Sequence, residues 1–111
     1  MSLRIGIDIG STTVKVVVLD EQNQLLFRSY ERHYSKTRER ACETLRSIRD
    51  RFAGQQVRLV ITGSAGLGVA KASGIDFVQE VYATAAAVQE YYPDTDAVIE
   101  LGGEDAKIIF F

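Results

Sequence analysis

The first third of the chain alternates between apolar runs and short polar turns. Residues 3–9, 14–19 and 25–33 are rich in β-branched, leucine or aromatic side chains and predict three strands. The polar turns between them, at residues 10–13 and 20–23, are short. Strands joined by such turns run antiparallel, so the pattern predicts a three-stranded meander.

A helical spacing of apolar residues follows the meander. Ala41, Leu45, Ile48 and Phe52 are three or four residues apart, which places them on one face of a helix that Gly54 ends. The rest of the pattern predicts, in order, a buried parallel strand at 57–61, a short helix at 67–72, an alanine-rich helix at 80–91, a buried strand at 97–101 and a last strand at 106–111. In outline this order is βββαβαββ. It is typical of a ribonuclease H-like α/β fold, with a mixed sheet and helices on the sheet faces.

Length and composition fit one small soluble domain that covers residues 1–111. The net charge of −2 argues against a nucleic-acid partner, which usually requires a concentrated basic face. No apolar run has the length of a membrane span, and the N-terminus lacks the layout of a signal peptide. We therefore expect a cytoplasmic protein without membrane contact.

Two further features concern Cys42 and the end of the chain. Cys42 is the only cysteine, which fits a reducing compartment, and its helical context predicts a small packed side chain. Residues 108–111 are all apolar, and natural domains seldom finish on four exposed apolar residues. A strand tucked into the sheet is one explanation, and a longer parent chain is the explanation that we favour.

The turn after the first strand carries groups suited to phosphate binding. An apolar strand ends at Asp8, and Gly10 allows a tight turn and a close approach of a ligand to the backbone. Hydroxyls and backbone N–H groups then form a concave cradle for phosphate oxygens. The residues of this cradle are Ser11, Thr12 and Thr13. Because a carboxylate repels phosphate, the natural role of Asp8 is to hold Mg²⁺ through water.

Lys15 lies on the second strand and can add a positive charge at the β- or γ-phosphate. The alternative for this whole segment is an ordinary hairpin with an exposed aspartate and lysine. A second segment makes that alternative less attractive. There an apolar strand ends near Glu100, and a turn containing Gly102, Gly103 and Asp105 leads into another strand. Two such hairpins can face each other across a phosphate tail, each with a backbone cradle and one acid for the metal or the attacking water.

The two hairpins resemble the phosphate-1 and phosphate-2 motifs of the superfamily that contains actin, sugar kinases and heat-shock chaperone ATPases. Residues 79–87 are similar to the glutamate-led connecting helix of that superfamily, which would place Glu80 near the metal-bound water. Capping of the helix N-terminus is the alternative role of Glu80. Residues 6–13 together with 101–105 most resemble the BadF/BadG/BcrA/BcrD-type ATPases, which include the activators of 2-hydroxyacyl-CoA dehydratases. Residues 62–68 lie where that family has a Thr-Gly-x-Gly-type loop.

The chain departs from the family pattern at two acids. Family members commonly carry Asp-x-Gly-Gly-Gln-Asp at phosphate-2. In this chain Glu100 takes the place of the first Asp, and Glu104 takes the place of the Gln. The activators form dimers that hold one four-iron four-sulfur cluster through cysteines beyond phosphate-2. Cys42 does not match those cysteines, so a cluster is expected only in a full-length family member.

The resemblance implies an ATPase module that uses ATP and Mg²⁺ and drives electron transfer to a dehydratase. Asp8 and Glu100 would hold the metal or the attacking water. The expected partners are ATP, the rest of its own chain, a second copy of the protein and a 2-hydroxyacyl-CoA dehydratase. A small-molecule kinase and a non-catalytic assembly module remain alternatives. Since the adenosine-binding motif of the superfamily belongs to a second lobe, residues 1–111 alone are expected to be inactive.

Overall fold

The computed structural model describes residues 2–102 and 105–111, so the predicted site residue Gly103 and its neighbour Glu104 lie outside the described residues. The elements are β1 (Ser2–Ile9), β2 (Thr13–Leu19), β3 (Leu25–Arg32), α1 (Thr37–Arg51), β4 (Gln56–Thr62), α2 (Gly66–Ser73), β5 (Asp76–Phe77), α3 (Glu80–Tyr91), β6 (Ala97–Leu101) and β7 (Ala106–Phe110). The predicted mixed α/β class is confirmed. The structure adds β5, whose two residues are too few to leave a periodic pattern.

The first five strands form one mixed sheet in the order β3-β2-β1-β4-β5. The β1, β2 and β3 strands are antiparallel neighbours, so the predicted meander is confirmed. After α1 the chain returns to the other side of β1, where β4 pairs with β1 in parallel. Parallel strands end at the same edge of a sheet, and Asp8 therefore lies directly beside Thr62.

The core lies on one face of this sheet, against α1. Every second residue of β1, from Leu3 to Ile9, is buried, and Ala41 and Ile48 of the predicted helical stripe are buried with them. Each such leucine or isoleucine side chain contributes about 1.5–3 kcal/mol when it is fully buried. The alternation of a strand places Asp8 on the opposite face, away from the core.

The β6 and β7 strands form a separate antiparallel hairpin. The prediction that residues 97–101 form a buried strand is wrong for the described chain, where β6 pairs with β7 alone. Ile99 is 65% exposed and Leu101 is 79% exposed. The apolar composition of residues 97–101 correctly predicted a strand, but composition does not reveal whether a second sheet covers that strand.

Cys42 is also exposed, and the prediction of a packed cysteine is therefore wrong. It directly follows the buried Ala41 in α1, and one residue turns a helix by about 100°, which is enough to carry a side chain off the buried stripe. Within the described residues, no helix combines the length and the apolar character needed to cross a membrane.

Candidate functional site

The turn between β1 and β2 is a tight hairpin closed by one backbone hydrogen bond. The N–H of Gly10 donates to the carbonyl oxygen of Thr13 at 2.9 Å. Gly10 does not have a positive φ, and a Cβ built there would lie 3.7 Å from the Thr13 carbonyl oxygen, an ordinary contact. The turn itself therefore does not require glycine at this position. The remaining reason for glycine at this position is room for a ligand beside the backbone.

The carboxylate of Asp8 has two different environments. Its Oδ2 accepts a hydrogen bond from the ammonium group of Lys15, its neighbour across the hairpin, at 3.3 Å. Its Oδ1 is buried and makes no hydrogen bond with the residues that the structure describes. A buried carboxylate oxygen without a partner is costly, by about 1–3 kcal/mol or more. Asp8 is therefore held by one lysine and keeps one acceptor unused.

Gly63, after the end of β4, closes the space behind Asp8. Its φ is +103°, and a Cβ built there would lie 2.2 Å from the carbonyl oxygen of Ile9 and 2.6 Å from Oδ1 of Asp8. No side chain fits at such distances. The same carbonyl oxygen of Ile9 accepts the N–H of Ala65 at 2.9 Å. The loop after β4 thus packs directly on the end of β1, and only glycine permits this contact.

The second hairpin repeats the plan of the first. The N–H of Gly102 donates to the carbonyl oxygen of Asp105 at 2.9 Å, and Glu100 pairs with Lys107 across the two strands. A Cβ at Gly102 would approach Oδ1 of Asp105 to 3.2 Å, which is tighter than most real contacts. Gly103, although predicted as part of this turn, lies outside the described residues.

Helix α3 holds two charged residues of the second hairpin, Glu100 and Lys107. The hydroxyl of Thr84 donates to Oε2 of Glu100 at 2.8 Å. The ammonium group of Lys107 donates to Oε2 of Glu80, at the start of the same helix, at 2.9 Å. Thr84 follows Glu80 by one helical turn, so both side chains leave the same face of α3. The helix thereby fixes the direction in which the second hairpin presents its acid.

Lys107 is surrounded by three carboxylates. Its Nζ lies 2.9 Å from Glu80, 3.5 Å from Asp105 and 4.0 Å from Glu100. The hydrogen bond to Glu80, reinforced by attraction to all three carboxylates, raises the pKa of Lys107 above its usual value, although partial burial opposes the shift. Lys107 therefore carries its positive charge at neutral pH.

The two hairpins and the start of α3 enclose a cavity of about 120 Å³. Its lining residues are Asp8, Gly10, Ser11, Thr12, Thr13, Lys15, Ser64, Glu80, Glu100, Gly102, Asp105 and Lys107. Every predicted site residue that the structure describes is among them. The fold therefore brings together two segments that are about ninety residues apart in the sequence.

Four residues of the site were not predicted: Gly63, Ser64, Thr84 and Lys107. Lys107 could have been found from hairpin pairing, because it faces Glu100 across the turn. Thr84 could have been found from its helical distance to Glu80. The loop after β4 was noted only for its resemblance to the family's Thr-Gly-x-Gly-type loop, since its place beside Asp8 depends on the parallel pairing of β1 with β4.

The charges of the cavity suit a ligand that arrives with a cation. Among the described lining residues, the four carboxylates outnumber the two ammonium groups. A bare polyphosphate would be repelled by this excess of negative charge, whereas its magnesium complex would be repelled less. Within residues 2–102 and 105–111, no three acidic, histidine or cysteine side chains form a metal cage of their own. Asp8 and Glu100 fit Mg²⁺, which prefers oxygen ligands and takes most of them from water and phosphate.

Comparison with known proteins identifies relatives of this arrangement. A sequence model of the BadF/BadG/BcrA/BcrD ATPase family matches residues 5–111. An uncharacterised protein of Methanocaldococcus jannaschii is 26% identical over 105 residues, which represent 95% of this chain and 42% of that protein.

Two solved structures share the fold. Component A of the (R)-2-hydroxyglutaryl-CoA dehydratase of Acidaminococcus fermentans matches 99% of this chain and 43% of its own, with a TM-score of 0.80 and 21% identity. The activator of the 2-hydroxyisocaproyl-CoA dehydratase of Clostridium difficile, solved with bound ADPNP, matches 97% of this chain and 40% of its own, with a TM-score of 0.70 and 24% identity. The chain thus has the actin-like ATPase fold of these proteins and spans less than half of their length.

Proposed function

The chain belongs to the BadF/BadG/BcrA/BcrD ATPase family, and we propose that it is the phosphate-binding first lobe of an ATPase that activates a 2-hydroxyacyl-CoA dehydratase. The observation that carries the proposal is the cavity between the two hairpins, which gathers two turns, four acids and two lysines at one point. The rest of the ATPase would lie in the longer protein, as the relatives' lengths suggest.

In this proposal, the triphosphate lies between the two turns. The backbone N–H groups and hydroxyls at residues 11–13 bind phosphate oxygens from one side, and the turn at Gly102 and Asp105 binds them from the other. Lys15 exchanges part of its contact with Asp8 for a phosphate oxygen, because its side chain is still 40% exposed. Gly10 leaves the space that the phosphate chain needs.

Mg²⁺ would be held by Asp8 and, through water, by Glu100. The Oδ1 of Asp8 supports this assignment, since it is a carboxylate oxygen to which no described residue donates a hydrogen bond. Bound there, the metal ion would neutralise charge on the phosphate oxygens. The same carboxylates would be poorly compensated without a cation, which is why we expect nucleotide binding to require one.

Hydrolysis is the attack of a water oxygen on the γ-phosphorus, which breaks the bond to the oxygen bridging the β- and γ-phosphates. Glu100 is the residue that we assign to the water. Thr84 occupies its Oε2, so Oε1, which lies 4.0 Å from Nζ of Lys107, is the atom that would accept the proton of the water. Glu80 acts on this reaction indirectly, because it anchors Lys107 beside Glu100.

The activator role rests on the fold shared with the two dehydratase proteins and on the family membership. It implies a second copy of the protein, an iron–sulfur cluster and electron transfer to the dehydratase. The ligands of such a cluster would lie outside residues 1–111, because Cys42 is the only cysteine within that range. A cytoplasmic location follows from the same proposal.

The proposal is tested with the full-length protein. Steady-state phosphate release is measured with Mg·ATP, and again after removal of divalent cations with EDTA. We expect turnover that EDTA abolishes. Activation is then tested by adding a reductant and purified 2-hydroxyacyl-CoA dehydratase, with ADPNP in place of ATP as the control. ATP hydrolysis without any activation would leave the ATPase standing and refute the activator role, and no hydrolysis would refute both.

A further inference from the structure

A buried histidine sits behind the first phosphate turn. His33, directly after β3, is only 3% exposed. Its Nε2 lies 2.9 Å from the carbonyl oxygen of Gly10, and its Nδ1 accepts the N–H of Ser35 at 3.1 Å. A carbonyl oxygen can only accept and a backbone N–H can only donate, so these partners select the tautomer with its proton on Nε2. Both ring nitrogens therefore have a partner.

The backbone of His33 binds the same turn. Its N–H donates to the carbonyl oxygen of Thr12 at 3.1 Å. One residue thus holds the carbonyl groups of Gly10 and Thr12, one through its side chain and one through its main chain. These two carbonyl oxygens belong to the turn that lines the cavity.

The direction of these carbonyl groups decides what the turn offers to a ligand. In a trans peptide the C=O and the following N–H point to opposite sides, and the described chain has no cis peptide bond. When His33 draws the Gly10 carbonyl toward itself, the N–H of Ser11 must point away from His33. A carbonyl oxygen turned toward phosphate would repel it, whereas an N–H binds it.

We infer that His33 is a positioning residue for nucleotide binding, which fixes the Gly10–Ser11 peptide so that its N–H is available to a phosphate. The inference rests on the proposed function for its ligand, but the fixed peptide itself does not depend on any ligand. His33 does not line the cavity and takes no part in the chemistry. Its effect should therefore appear in nucleotide affinity and much less in the turnover number.

Two substitutions separate the two ring contacts. In His33→Asn, the amide oxygen takes the place of Nδ1 and can accept the N–H of Ser35, but nothing reaches Gly10. In His33→Gln, the longer side chain puts an amide N–H near the position of Nε2 and can donate to Gly10. A histidine that only fills space would be replaced about equally well or equally badly by either residue. Thermal unfolding of both variants shows whether each one folds.

Affinity for Mg·ATP is measured by calorimetric titration of the full-length protein. H33N should bind about tenfold more weakly than wild type, or about 1.4 kcal/mol. H33Q should recover most of this loss and stay within roughly threefold of wild type, a change below 1 kcal/mol. The turnover number at saturating Mg·ATP should change by less than about threefold in both. Equal losses in H33N and H33Q, or no loss in either, would overturn the inference.

A second readout does not require nucleotide. The backbone amide signal of Ser11 is followed by NMR in the free protein. It should shift strongly in H33N and remain near its wild-type position in H33Q. If wild type fails to bind Mg·ATP, the proposed function fails, and the Ser11 signal still decides the role of His33. An unchanged Ser11 amide in H33N would refute it.

Discussion

Replacement of Gly63 by alanine tests how closely the loop after β4 must approach the end of β1. The added Cβ would lie 2.2 Å from the carbonyl oxygen of Ile9, where real contacts are not below 3.0 Å. The carbonyl group must therefore retreat by about 0.8 Å, and Oδ1 of Asp8 by about 0.4 Å. Retreat of the Ile9 carbonyl also weakens its hydrogen bond to the N–H of Ala65.

The magnitude has two parts. A positive φ at a residue other than glycine costs about 1–3 kcal/mol. Loss of the Ala65 hydrogen bond, which leaves a carbonyl group poorly paired, adds about 1–3 kcal/mol. Gly54 provides a matched control, because its φ is +80° and a Cβ there would meet no atom of the described residues within 4 Å. Gly54→Ala thus carries the backbone cost alone, and the difference between the two variants isolates the steric contact.

The assays are thermal unfolding and amide hydrogen exchange of the full-length protein. Gly63→Ala should unfold at a lower temperature than Gly54→Ala, and the Ala65 amide should exchange roughly tenfold faster or more in the first variant only. Affinity for Mg·ATP should also fall in Gly63→Ala, because Asp8 is displaced. Equal unfolding temperatures and equal Ala65 exchange in the two variants would refute the reasoning.

Three further predictions concern charged residues of the cavity in the full-length protein; the first two are checked by steady-state ATP hydrolysis and the third by calorimetric titration with Mg·ATP. Asp8→Ala should abolish turnover, whereas Asp94→Ala, which changes an exposed acid outside the site, should leave turnover unchanged. Equal turnover in the two variants would show that Asp8 is not part of the site. Glu100→Gln should lower turnover about a hundredfold or more, and a wild-type rate in this variant would exclude a catalytic role. Glu100→Asp keeps the charge but withdraws from Thr84, and its turnover should stay within roughly tenfold of wild type. Lys107→Met should weaken Mg·ATP binding about tenfold, because the carboxylates around it lose their counter-charge, while the exposed Lys71→Met serves as the unaffected control.

The local pattern was sufficient to predict the two turns and every described element except the two-residue β5. The range of α3 was predicted from its alanine-rich composition and the proline that follows it, and Glu80–Tyr91 is what the structure shows. The acid, glycine and hydroxyl residues of the turns could also be predicted, since a strand that ends at an acid and is followed by a polar turn is a local pattern. These signals need only neighbouring residues.

Tertiary contacts could not be predicted from the local sequence pattern in the same way. The structure requires glycine at Gly63, and this requirement arises from the packing of one loop against another strand, which the local pattern does not show. The hydrogen bond between Thr84 and Glu100 joins residues of two different elements, and its partners could not be paired before the fold was known. Exposure of Leu101 was missed because apolar composition does not specify a neighbour.

The central claim is that two turns distant in sequence bind one triphosphate. Titration of Mg·ADPNP into the ¹⁵N-labelled full-length protein, followed by amide NMR, tests it most directly. The account predicts that amide signals at residues 10–13, Ser64, Gly102 and Asp105 shift together with a single midpoint. Perturbation of only one turn, or of a distant surface such as residues 43–51 of α1, would contradict it.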